Sequence, residues 1–261
     1  MQLAPVPQDM PDTPAIVPVT LARHGGQRWH RFRDYGFARH RTELPLALAE
    51  TDALAGTFPI LFRKIDNAPV PVVMLAPAGQ ETVPVVGRDG RWCAPYVPAA
   101  LRAYPFDMSE TADDGAVLTI DEGSGLMSGQ AQGLPFFDKA GQMAPDLRQV
   151  RSFLRLRMAG QRVARRAAAA LAEADLLCPL PELDIGGPGL WAVDDAALMN
   201  INSIALADLW QSGALRLAMA HRISLHHMKW LVRAQAPTPE PPSEVGGFLA
   251  ALARARTGAL T

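Results

Sequence analysis

The sequence predicts an α+β fold, an N-terminal antiparallel β-rich half packed on a C-terminal helical half with one long central helix. Three observations predict it. Short β-branched runs bounded by turn residues crowd the chain before residue 121. After Pro145 no proline occurs until Pro179, and Gly160 is the only glycine between them. Prolines concentrate at both ends of the chain, so the folded body is expected over 21–235. Residues 1–20 carry Pro5, Pro7, Pro11, Pro14 and Pro18 and read as an extended, disordered tail. Residues 236–261 read as a proline-rich linker, Ala236-Pro-Thr-Pro-Glu-Pro-Pro-Ser243, followed by a short helix over Phe248–Arg256.

Within the body, Pro59–Lys64, Val70–Leu75 and Thr82–Val86 are spaced as an antiparallel meander, and Val117–Ile120 reads as a further strand. Pro71 and Pro84 restrict two of these runs to edges, ends or bulges. Asp89-Gly90 signals a tight turn. Pro98–Tyr104 reads as one short helix stopped by Pro105. Pro145 fits a first helical position. The thirty-three residues from there to Leu177 would make a helix roughly 50 Å long. A second helix is predicted near Ile204–Gln211, closed by Gly213. Leu215–Ala220 reads equally as strand or helix, and Ser224–Arg233 as helix.

Composition narrows the function classes. The 261 residues are 49% hydrophobic and 20% charged, ordinary for a globular domain that buries roughly 70–75% of its unfolded surface. A net charge of −1 gives no global attraction to nucleic acid or anionic membrane, and nucleic acid is not expected as a partner. No stretch approaches the ~20 apolar residues of a membrane helix, and the N-terminus lacks the pattern of a secretory signal. Cys93 and Cys178 belong to no CxxC pair and read as buried thiols. A cytoplasmic location follows as the expectation.

The long helix holds the clearest candidate site. Arg148, Arg151, Arg155, Arg157, Arg162, Arg165 and Arg166 occur there with no acidic residue between them. At about 100° per residue, all but Arg157 fall in a stripe roughly 100° wide. Such a ridge is either a solvated face paired with carboxylates such as Asp113-Asp114 or Asp121-Glu122, or a site for an anionic ligand or acidic partner. Trp92, Tyr96 and Tyr104 form either part of the core or the lining of a pocket. Asp121, Glu122 and His221 are the residues an enzyme of unfamiliar type would use in such a pocket.

Other motifs carry less. Asp113-Asp114-Gly115 reads as a turn into a strand and matches no Ca²⁺ loop. His221, His226 and His227 lie at offsets that suit no helical metal site, so a core histidine bonded to backbone is expected at His221. No metal or cofactor is implied. Gly123-Ser-Gly125 lacks the spacing of a hydrolase elbow, and Gly186-Gly-Pro-Gly189 lacks a Walker lysine.

Several blocks in fixed order resemble the bacterial SapC family: Pro45-Leu46 with Phe58-Pro-Ile-Leu-Phe62, then Asp89-Gly-Arg-Trp92 with Tyr96-Val-Pro98 and Tyr104-Pro-Phe106. Leu118–Glu122, Pro135-Phe-Phe-Asp138 with Gly141, Phe153-Leu154, Val193-Asp-Asp195, Ser212–Leu215 and Ala220-His221…Ser224-Leu225 follow. The likeness runs from Glu43 to Leu231. It is to the surface-layer-associated family, not to the membrane permease subunits of the same name. The resemblance implies no catalytic residues. It implies an accessory or binding role beside surface-layer or outer-membrane nutrient-uptake systems, with protein partners such as halogenase-like or cupin-like neighbours.

Overall fold

The computed structural model describes residues 15–77, 80, 82–113, 115–129, 132–180 and 189–233. The expected linker and short C-terminal helix lie outside the described residues, as do Asp114 and Gly186–Pro188. The strands are β1 (Ile16–Pro18), β2 (Arg28–Trp29), β3 (Glu43–Pro45), β4 (Ile60–Ile65), β5 (Ala68–Met74), β6 (Phe106–Glu110), β7 (Ala116–Asp121), β8 (Met127–Ser128), β9 (Leu134–Pro135), β10 (Leu177–Pro179) and β11 (Leu190–Val193). The helices are α1 (Leu21–His24), α2 (Thr51–Ala55), α3 (Pro145–Glu173), α4 (Asp195–Met199), α5 (Ser203–Gln211), α6 (Ala214–Ser224) and α7 (Met228–Arg233). The architecture is α+β, with antiparallel sheets before a long central helix and further helices after it.

The main sheet has the order β10-β11-β4-β5-β3, and all its pairs are antiparallel. The β4–β5 hairpin turns through Asp66 and Asn67, both at positive φ, the conformation that a tight hairpin demands and these residues tolerate. Pro69 and Pro71 lie past the end of β3, which pairs only with Val72–Met74, so their missing N–H groups remove no bond from that ladder. A second sheet has the order β1-β7-β6 and a third, short one the order β8-β2-β9.

The length of α3 follows from its having two cores to close. Leu147 and Leu154, in its first half, pack with Trp29, Phe106, Ile120 and Phe136 under the second sheet. Ala164, Ala167, Ala168 and Leu171, in its second half, pack with Phe58, Phe62, Val73 and Leu217 over the main sheet. The small side chains of this half let helix and sheet approach closely. Gly160 serves the same end: a Cβ there would stand 3.1 Å from the Ala47 Cβ. A third cluster, Leu61, Val72, Met74, Leu190 and Leu231, covers the other face of the main sheet.

Several sequence expectations are corrected. Residues 16–18, read as tail, form edge strand β1, in register Val17↔Ile120 with β7. Thr82–Val86 is not a strand: Pro84 interrupts it, Val83 N–H donates to Arg39 O at 2.8 Å, and only Val86 makes a bridge, to Trp92. The strand beside β5 is instead β3, from upstream. Only Ala99–Leu101 of the short helix expected before Pro105 forms, as a 3-10 turn. α3 ends at Glu173, because Asp175 takes φ 55° and Leu176 N–H donates back to Leu171 O at 2.9 Å, reversing the chain into β10. Leu215–Ala220 is helical, within α6. Cys93 is exposed and Cys178 partly so, both as free thiols, the second on edge strand β10.

Candidate functional site

The aromatic segment from Asp89 to Phe106 is pinned into the body at each motif. Gly90 has φ 80°, and a Cβ there would come within 2.7 Å of Asp34 Oδ1, so only glycine fits. Tyr35 N–H donates to Gly90 O at 2.8 Å. Trp92 Nε1–H donates to Tyr96 O at 2.9 Å. Tyr96 in turn donates its hydroxyl to the buried Glu50 carboxylate at 3.1 Å, which also accepts the N–H groups of Ala99 at 2.8 Å and Ala47 at 3.3 Å. Burial, and then the Glu50 charge, raise the Tyr96 phenol above its ordinary value. Tyr104 stacks on Phe37 with ring centroids 3.9 Å apart. Burial foremost, with the charge of the nearby Asp121 carboxylate, pushes its buried hydroxyl up to about 12. These three aromatics are packing and bracing groups, and Arg102 rather than a ridge arginine sits over the Tyr96 ring.

The residues of the enzyme reading belong to different parts of the fold: Asp121 ends β7, Glu122 opens the 3-10 turn after it, and His221 lies on α6. Asp121 Oδ1 accepts the N–H groups of Ala15 and Gly123. Glu122 takes a bidentate bond from Arg23 at 2.5 and 2.7 Å and lies 3.3 Å from the buried His24 ring. The Arg23 guanidinium foremost holds its carboxyl below the usual glutamate range. His221, on α6, is bonded into the main sheet between β4 and β11. β11 pairs with β4 as Leu190↔Arg63 and Trp191↔Phe62. Continued by two residues, that register would set Val193 opposite Ile60. There the imidazole is inserted instead: Val193 N–H donates to Nε2 at 3.1 Å, and Nδ1 lies 2.6 Å from Ile60 O. Because Nε2 must accept, the proton sits on Nδ1 and donates to Ile60. Ser224, one turn later, accepts the Ile60 N–H at 2.8 Å. Burial lowers the His221 pKa. Among the described residues, no group of three or more His, Cys, Asp or Glu side chains converges as a metal site would.

The arginine ridge is real but differently compensated than expected. Arg157, the one outside the stripe, is buried at the junction of the two cores and ion-paired with Asp107 of β6. Arg162 donates to Glu110 of β6 at 2.9 Å, and Arg165 lies 3.7 Å from the same carboxylate. Asp113 is engaged with Thr111, and Asp121 and Glu122 with α1 and its surroundings, so these carboxylates do not serve the ridge. β6, like β5, packs against α3, which puts its acidic residues in reach of the ridge. Arg148 donates to Met143 O. Among the described residues, Arg151, Arg155 and Arg166 have no ion pair.

A second surface escaped sequence reasoning. α5 buries only Leu209, although Ile204, Leu206 and Trp210 are also apolar. Trp210 is 73% exposed and Ile204 77%. With Leu215 of α6 these helices form an open groove of about 340 Å³ lined by Ser203, Leu206, Ala207, Trp210, Gln211 and Leu215. Met219 and Ile223, four and eight residues after Leu215, continue the apolar stripe along α6. Arg216 and Arg222 of the same helix are ion-paired with Asp52 and Asp195. The available signal was the run Ile204–Trp210, too apolar for a surface helix; exposure itself cannot be read from it.

Among the described residues, no helix is long and apolar enough to cross a membrane. No curated protein and no solved structure matches the chain. The family model for SapC matches residues 20–231. That span takes in every block from Pro45 to Leu225 that is pinned above, and the chain belongs to the SapC family.

Proposed function

We propose that the protein is a non-catalytic accessory or binding protein, acting in the cytoplasm beside bacterial surface-layer or outer-membrane nutrient-uptake systems. The observation that carries this reading is the apolar α5–α6 groove. A contiguous exposed apolar surface costs solubility unless a partner covers it. An exposed tryptophan in its lining suits a protein anchor. The occupants consistent with the family resemblance are halogenase-like or cupin-like proteins, of the kind often encoded beside members of the family.

The test is co-expression with such neighbouring gene products, followed by light scattering on the purified material. A stable complex that Trp210→Asp abolishes, with the thermal unfolding of the variant unchanged, supports the proposal. A monomer that ignores every neighbour, or a complex indifferent to Trp210→Asp, sinks it.

A further inference from the structure

The solvent face of α3 has a heptad pattern that packing among the described residues leaves unused. Gln149, Leu156 and Val163 recur every seven residues, and Ser152 and Ala159 lie between them at alternating steps of three and four. All five are exposed; Leu156 is 73% exposed and Val163 42%. In coiled-coil terms these are the a and d positions of a seam. The residue before each a position is then g, and it is Arg148, Arg155 and Arg162. The e side, Phe153 and Gly160, turns toward the body. The seam is therefore walled by protein on one flank and by arginine on the other.

The arginines are costly without a partner. Arg151 and Arg155, and Arg162 and Arg166, are like-charge pairs four residues apart, and each opposes the helix. Glu110 is the one carboxylate that offsets them among the described residues. From Arg148 to Arg166 the ridge runs about 27 Å at 1.5 Å per residue, the span of an extended partner rather than a small anion.

We propose that this seam receives an acidic amphipathic helix from a partner protein, its apolar residues on Leu156 and Val163 and its carboxylates against Arg148, Arg155 and Arg162. A second copy of the chain would bring the same arginines and repel. The chain's own Phe248–Arg256 segment carries Arg254 and Arg256 and no acidic residue, so it repels too. Nucleic acid would use the arginines and leave Leu156 and Val163 unused. The surface shares no residue with the α5–α6 groove, so its failure leaves that reading intact.

The test uses the full chain and a fluorescent three-heptad peptide with Leu at a and d and Glu at e and g, whose own pairing is blocked by its charge. The peptide is expected to bind, more weakly as salt rises. Arg155→Glu should weaken it about tenfold or more and narrow its advantage over a Lys-flanked version of the peptide. Leu156→Asp should weaken both peptides. Arg155 has no partner among the described residues and Leu156 is exposed, so thermal unfolding of both variants should match the parent. No binding of the acidic peptide, binding indifferent to both substitutions, or equally tight binding of duplex DNA overturns the proposal.

Discussion

Replacing His221 tests whether the inserted imidazole holds the main sheet to α6. His221→Leu keeps a side chain of similar bulk in a fully buried site and removes both hydrogen bonds. Val193 N–H and Ile60 C=O are then left unpaired at the point where the β4–β11 ladder opens. Each such buried group costs about 1–3 kcal/mol, so the expected loss is about 2–6 kcal/mol. Against a typical total of roughly 5–15 kcal/mol, the variant is marginal. Urea unfolding followed by circular dichroism measures it, provided the m-value is unchanged. His221→Gln supplies one donor and one acceptor and should recover part of the loss. A loss below about 1 kcal/mol for His221→Leu, or equal losses for both variants, would refute the spacer role. The same site sets a pH dependence. Burial foremost holds the folded pKa below the ordinary 6.5, so the unfolded chain takes up the proton first. The contribution is complete above that ordinary value and declines as pH falls toward the folded one. This slope should be missing from His221→Leu.

Gly160→Ala should be close to neutral, because about 1 kcal/mol of helix propensity offsets the 3.1 Å approach to Ala47, whereas Gly160→Leu should lose about 1–3 kcal/mol in urea unfolding. Glu122, held low chiefly by Arg23, contributes docking of α1 that is present above the ordinary glutamate range and lost as pH falls through its folded value. Amide exchange at His24 and Gly25, corrected for intrinsic rates, should therefore rise on acidification in the parent and be raised at every pH in Glu122→Gln; a flat profile in the parent counts against the assignment.

What the sequence disclosed, and what it hid, divides along local and non-local physics. α3 was legible because Pro145, the proline-free run and its alternation of leucine with arginine all act within a few turns. The β4–β5 hairpin was legible from β-branched runs around Asp66-Asn67. Thr82–Val86 misled because valines buried in turns look like valines buried in strands, and Pro84 decided between them. Arg157 shows the same limit in the site. The wheel set it apart from the ridge, but its partner Asp107 lies fifty residues upstream, and only the packing of β6 under α3 joins them. The family blocks were readable as text and their meaning was not. Gly90, His221 and Ser224 prove to be positions where one backbone group would otherwise go unpaired or one Cβ would collide, and Tyr96 braces the buried Glu50 carboxylate. The apolar groove was hidden because hydrophobicity does not announce whether a helix faces in or out.

The main sheet draws β3, β4 and β5 from residues 43–74 and β10 and β11 from residues 177–193, on either side of α3. During synthesis, β4 leaves the ribosome more than a hundred residues before the strand that covers its second edge. Until Val193 emerges, that edge is an open template for pairing with other chains. Folding is then dominated by distant pairings and is expected to be slow for the chain's size. A fragment ending anywhere within α3 would carry an exposed strand edge and two half-closed cores, so truncation products of this protein should aggregate rather than fold as smaller domains.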